Sequence, residues 1–231
     1  MNKYGSMLKN GNGVPVNKEL ACRYLKMAAD KGFPKAMFNY AIMLKKGQGV
    51  AKNSEEAAKY FKMSADNGCV PGMFKYGSML LNGEGVPIDK EEANRYFKMA
   101  ADEGDTDSMN NYGSMVEKGE GCEVNKEEAC RYFKESAAKG SKVGMYKYGL
   151  MLKNGEGTTK NESEAIRYIK MAVDKGQIDA LNEYGIMLKE GIGIPQNDEE
   201  ATKYFKQATD KGHVEGMYNY ALMLKKNNED P

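Results

Sequence analysis

The chain has 231 residues, and its 26 glycines, 17 methionines and 15 tyrosines stand beside no tryptophan and a single histidine. Glycine above the roughly 7% of average proteins, with six prolines and 41% hydrophobic residues, excludes both collagen and low-complexity linkers. A net charge of +1 excludes the basic footprint of a nucleic-acid binder, and no apolar stretch nears the ~20 residues of a membrane span.

In chain order, the first recurring mark is Tyr4, which returns every 36 residues as Tyr40, Tyr76, Tyr112, Tyr148, Tyr184 and Tyr220. A second row keeps the same period through Tyr24, Tyr60, Tyr96, Tyr132, Tyr168 and Tyr204. Between the rows lies a Gly-x-Gly, from Gly11/Gly13 to Gly191/Gly193, and each unit closes on a glycine, from Gly32 to Gly212. Such self-similarity is the mark of a repeat architecture.

The chain opens inside the first helix of this pattern, since Met1 stands at the phase of Met37. In the second copy Met37, Tyr40, Ala41 and Leu44 are spaced as one buried helical stripe, and Gly47 follows where a left-handed residue ends a helix. This is helix A. Asn53 is an N-cap, with Glu56 three positions on as a first-turn acid, and Ala57, Tyr60, Phe61 and Ser64 continue the helical spacing up to Gly68. This is helix B.

The cap is Asn or Asp in all six complete copies: Asn17, Asn53, Asp89, Asn125, Asn161 and Asn197. Gly5, Gly77, Gly113, Gly149 and Gly185 sit in mid-helix despite a cost of about 1 kcal/mol relative to Ala. Close approach of a neighbouring helix is the expected compensation.

Seven A helices and six B helices result. The units run 1–32, 33–68, 69–104, 105–140, 141–176 and 177–212, with a terminal A helix in 213–231. Each hairpin is too small to bury its own stripe, so hairpins must stack. The expected fold class is all-α: an α/α superhelix, or solenoid, of two-helix 36-residue repeats forming one domain over 1–231. At about 10 Å per helix it would be a curved rod on the order of 60 Å long. The polar run Lys225-Lys226-Asn227-Asn228-Glu229-Asp230 suits a solenoid end. The abrupt start suits a piece of a longer protein or end-to-end self-association.

The chain resembles the Sel-1-like repeat family, close kin of the tetratricopeptide repeats. The matching residues are Tyr40-Ala41 to Leu44, Lys46-Gly47-Gln48-Gly49-Val50, Asn53, Ala57, Tyr60-Phe61, Ala65 and Gly68, with equivalents along the whole chain. The resemblance implies a superhelical adaptor whose inner surface, lined by A helices, grips a protein or peptide partner. It also offers two alternatives. One is a hydrolase or penicillin-binding activity, as claimed for the cysteine-rich branch. The other is a quality-control adaptor of the endoplasmic reticulum lumen like the family's namesake, which needs a signal sequence before Met1.

The cysteine-rich branch pairs two cysteines eight positions apart, at positions held here by Ala29/Met37 and Ala101/Met109. Cys122 and Cys130 are eight apart but at another phase, and Cys22 and Cys69 complete the set. All four are read as reduced thiols. With no signal-peptide core in MNKYGSMLKNGNG, a cytoplasmic location is expected.

Other motifs reduce to scaffold. The Gly-x-Gly loops have neither a third glycine nor a following Gly-Lys-Ser/Thr, so they are turns rather than phosphate cradles, and no cofactor is expected. His213, the one near-neutral base, occupies a variable turn and is expected to be solvated. Glu55/Glu56 and Glu91/Glu92 fall in first helical turns, where the macrodipole favours negative charge. No catalytic set and no metal set emerges. The methionines occupy the phases of Met7, Met27 and Met37 only and are read as inter-helix filler.

What remains is the face of helix A offset from its packing stripe. By the tetratricopeptide analogy it is the concave groove, and it carries Phe38, Ile42, Phe74, Tyr146, Leu150, Ile186, Tyr218 and Leu222, with Lys45, Lys153 and Lys189 farther along. Aromatic anchors with lysines at hand suit a peptide bearing acidic groups. A second candidate is the acidic run Asp102, Glu103, Asp105, Asp107, Glu117, Glu120 and Glu123, which would recognise a basic segment.

Overall fold

A computed structural model describes the backbone of residues 1–229 and the side chains up to residue 226. Its helices are α1 (Asn2–Asn10), α2 (Lys18–Ala29), α3 (Pro34–Lys46), α4 (Ser54–Asp66), α5 (Val70–Asn82), α6 (Lys90–Asp102) and α7 (Thr106–Lys118), then α8 (Lys126–Ala138), α9 (Lys142–Asn154), α10 (Glu162–Asp174), α11 (Ile178–Glu190), α12 (Asp198–Asp210) and α13 (Val214–Glu229). Odd numbers are A helices and even numbers B helices. Among the described residues there is no strand, and the fold is the all-α repeat solenoid that the periodicity predicts. The chain falls into two compact units, Met1–Val124 with α1 to α7 and Asn125–Pro231 with α8 to α13.

The B helices begin where the caps predict. Asn53 Oδ1 accepts the Glu56 amide hydrogen at 3.0 Å and Asp89 Oδ1 that of Glu92 at 2.8 Å, and Asn17, Asn125, Asn161 and Asn197 do the same. The A helices end on left-handed glycines such as Gly47, whose φ of 64° lets its N–H return to the last turn.

In the first unit Tyr4 meets Tyr24, Tyr40 meets Tyr60 and Tyr76 meets Tyr96 edge to face, with ring centroids 5.1, 4.7 and 4.9 Å apart. In the second unit Tyr148–Tyr168 and Tyr184–Tyr204 repeat the arrangement at 4.8 and 4.7 Å. The two tyrosine rows are therefore one structural element, the seam of each hairpin. Beside it the mid-helix glycine makes room for a bulky core residue. A Cβ on Gly185 would lie 2.7 Å from the ring of Phe205, and one on Gly149 would lie 2.7 Å from Ile169.

The second glycine of each loop answers to its neighbour. A Cβ on Gly49 would overlap the Lys18 carbonyl at the start of α2, and Gly85, Gly121, Gly157 and Gly193 stand in the same way against Ser54, Lys90, Lys126 and Glu162. These five loops thus seat on the first turn of the preceding B helix.

Two readings need correction. Between the first and last A helices, methionines at the phases of Met7 and Met37 are buried, but Met27, Met63, Met99 and Met171 on the B helices are 47, 43, 37 and 37% exposed. They cover B helices without filling a gap between helices. His213 is not a solvated turn residue either. Its side chain is 14% exposed, and its Nδ1 accepts the Gly216 amide hydrogen at 3.0 Å, capping α13. Asp179 and Glu215 lie 3.4 and 3.7 Å from its ring nitrogens.

Candidate binding face of the A helices

In the first unit α3 carries Phe38, Ile42 and Lys45, and α5 carries Phe74. Phe38 sets its edge on Phe61, centroids 5.6 Å apart, and Phe74 rests on Phe97 at 5.9 Å. Both rings are half-buried, anchored on one side by the B-helix core and open on the other. Adjacent A helices are joined across this face, where Asn39 Nδ2 donates to Asn2 Oδ1 at 3.3 Å. Lys45 pairs with Glu84 in the loop after α5. Lys9, at the phase of Lys45, has its pKa lowered by burial and by the ammonium of Lys46.

In the second unit α9 carries Tyr146, Leu150 and Lys153, α11 carries Ile186 and Lys189, and α13 carries Tyr218 and Leu222. Tyr146, Leu150 and Ile186 are half-buried against the core that contains Phe133, Ile169 and Phe205. The helices are joined here by Asn219 Nδ2 to Asn182 Oδ1 at 2.8 Å and by Lys153 Nζ to Glu183 Oε1 at 2.5 Å. Burial raises the pKa of the Tyr146 hydroxyl, and the carboxylates of Glu183, Asp179 and Glu215 raise it further. Tyr218 and Leu222, 66 and 40% exposed, are the open members of the set.

The sequence-based set therefore falls on one face within each unit. Two kinds of residue on that face escaped it. Asn39, Glu183 and Asn219 occupy the phase next to Phe38, where their side chains reach the preceding A helix. Their common 36-residue spacing was the available signal. Phe33, Pro34, Cys69, Val70 and Pro71 line an apolar cavity of about 500 Å³ at the N-terminal ends of α3 and α5. The Phe-Pro and Val-Pro pairs were its only mark in the sequence.

Part of the acidic run is used internally. Asp105 Oδ2 accepts the Ser108 amide hydrogen at 2.8 Å, capping α7, and Glu120 pairs with Lys90 at 2.9 Å. Cys22, Cys69, Cys122 and Cys130 form no disulfide among the described residues, and no helix among them is long and apolar enough to cross a membrane.

These repeats match the Sel1 repeat family model at residues 1–33, 34–69, 70–105, 106–141, 142–177 and 178–213, and the chain belongs to that family. Sel1 repeat proteins are in general non-catalytic protein-interaction scaffolds. Among solved structures, the chain is similar to the protective antigen c5321 of uropathogenic Escherichia coli, which displays the same repeat fold. The two share 27% identity with a TM-score of 0.89, over 96% of this chain and 48% of that one. The chain thus spans about half the length of that relative. A Sel1 repeat protein from Oxalobacter formigenes is also similar, with 27% identity and a TM-score of 0.76 over 90% of this chain and 83% of that one. No curated protein matches the chain.

Proposed function

We propose that this protein is a non-catalytic adaptor, one repeat domain over 1–231, that holds a segment of a protein partner along the concave face of its A helices. The supporting observation is the state of Phe38, Phe74 and Tyr146. Each is braced by the hydrophobic core yet remains partly exposed. Rings held in this way lose little freedom on binding, which is what anchors require. Ile42, Leu150, Ile186 and Leu222 extend the apolar surface, while Lys45, Lys153 and Lys189 flank it for acidic groups of the partner. The cysteines, none of which is joined in a disulfide among the described residues, suit a cytoplasmic setting.

Two double variants test the placement. Phe38→Ala with Phe74→Ala, and Tyr146→Ala with Tyr218→Ala, are expected to abolish capture of partners from the native source, read by mass spectrometry, while circular dichroism keeps the helical signal. Unchanged capture by both pairs overturns the assignment.

A further inference from the structure

Helices α1, α3 and α5 carry six lysines, Lys3, Lys9, Lys35, Lys45, Lys46 and Lys75, and no carboxylate. The A helices of the second unit are mixed, since α11 and α13 bring Asp179, Glu183, Glu190 and Glu215. One joint shows the difference. Lys153 of α9 meets Glu183 of α11 as an ion pair, whereas the same two phases on α3 and α5 hold Lys45 and Lys75, two like charges. Lys45 pairs with Glu84 in the loop after α5, and Lys75 lies over the Phe74 ring, 5.0 Å from its centroid. Lys3, Lys9, Lys35, Lys46 and Lys75 form no ion pair among the described residues.

Helix stability accounts for only part of this set. Lys9, Lys45 and Lys46 stand in last turns, where the macrodipole favours cations. Lys35 stands in the first turn of α3, where the macrodipole disfavours them, and Lys75 is in mid-helix. Lys9 is half-buried, and its pKa is held down by burial and then by the ammonium of Lys46. Like charges gathered on one face without a counter-charge leave a positive field that an anion relieves. Helices α3 and α5 are interior A helices of their unit, with α1 before them and α7 after, so their lysines do not owe their exposure to a chain end.

We infer that the groove of the first unit selects an acidic segment of a protein partner, with Lys35, Lys46 and Lys75 receiving its carboxylates beside the rings of Phe38 and Phe74. The inference rests on the groove reading above and sharpens it. Lys45 and Lys153 already have carboxylates within the protein, so charge recognition belongs to other lysines and to one unit.

The probe is a fluorescent peptide of Glu-Glu-Leu repeats titrated against the full chain. Saturable binding that weakens with added salt is expected, and the matching Gln-Gln-Leu peptide should bind at least about tenfold more weakly. Lys46→Glu with Lys75→Glu should weaken binding about tenfold or more, whereas Lys46→Arg with Lys75→Arg should keep it. Lys206→Glu with Lys211→Glu makes the same change of net charge on exposed lysines of the second unit and should leave binding unchanged. Circular dichroism verifies that each variant keeps its fold.

Equal affinity for the two peptides overturns the inference, as does binding that survives Lys46→Glu with Lys75→Glu. An oligothymidylate of equal length that binds more tightly than the acidic peptide also overturns it and makes nucleic acid the occupant. If charge-selective binding is missing while Phe38→Ala with Phe74→Ala still abolishes partner capture, the groove reading stands and the acidic preference alone is overturned. If peptide binding follows the lysines while both aromatic double variants capture partners as before, the groove reading alone is overturned.

Discussion

Gly68 and Gly85 share a left-handed backbone, with φ of 79° and 72°, but different surroundings separate their roles. A Cβ on Gly68 would meet nothing within 4 Å, whereas one on Gly85 would overlap the backbone of Ser54. Gly68→Ala should cost only the left-handed penalty of about 1–2 kcal/mol. Gly85→Ala adds a backbone collision and should lose at least about 2 kcal/mol more, read from urea unfolding midpoints. Equal losses would show that the loop does not seat on α4. The sequence marks both glycines alike, because a residue type records permission for a conformation and not what lies 4 Å away. His213 makes the same point, since its capping bond to Gly216 follows from the orientation of one ring. The buried tyrosines give a residue-scale signature in pH. Burial, and then nearby carboxylates such as Glu56, push the Tyr40 hydroxyl up to about 12; burial followed by Glu164 does the same for Tyr148. Above pH 10 the unfolded chain sheds these protons first and binds fewer than the folded one, so stability must fall with rising pH. Denaturant midpoints should hold up to about pH 10 and decline toward pH 12, in step with the tyrosinate absorbance.

At the scale of helix pairs, the contact between the start of an A helix and the preceding B helix is kept by exchange of small groups. Ser64 stands against Gly72 and Ser136 against Gly144, where a Cβ on either glycine would fall 2.7 Å from the hydroxyl. At the same phases Ser108 accompanies Ala100, the hydroxyl having changed sides. Gly72→Ser alone should destabilise by about 1–3 kcal/mol. Combined with Ser64→Ala it recreates a pair the chain already contains and should recover most of that loss, which a double-mutant cycle measures. Consecutive B helices are tied by a polar clasp. Tyr96 Oη donates to Asp66 at 2.6 Å and accepts from Lys62 at 2.8 Å, and Tyr60 reaches Asp30 at 3.2 Å. Tyr96 is fully buried, so Tyr96→Phe should cost about 1–3 kcal/mol by thermal melting. Helix limits were legible because caps, terminal glycines and stripes are local. The clasps were not, because they join residues 30 or 34 apart whose identity gives no hint of which neighbour they will face.

For the molecule as a whole, constancy of phase carried the fold. All 26 glycines lie at five phases of the period and 13 of the 15 tyrosines at two, so the turn, the seam and the close approaches could be placed before any coordinate. The proposed binding face was legible only by subtraction, as the phases left variable once the scaffold was assigned. Its joints, Lys153 with Glu183 and Asn182 with Asn219, needed the neighbouring helix in place. A stack whose joints are all nearest-neighbour should tolerate loss of a full period. Deleting residues 34–69 should leave helicity per residue unchanged and lower the melting temperature. Deleting half a period should abolish cooperative melting, since a B helix would then meet a B-helix surface.

The seat of each loop glycine on a main-chain carbonyl, at Lys18, Ser54, Lys90, Lys126 and Glu162 in turn, has a consequence for descent. A joint made to backbone is indifferent to the side chain that bears it, so this contact makes no demand on which unit follows which. Unequal crossing-over that inserts or removes whole periods would leave every remaining loop seat intact, and only the side-chain joints would need retuning. Recognition is then free to diverge by point mutation on the exposed face, while the joints themselves are inherited as glycine.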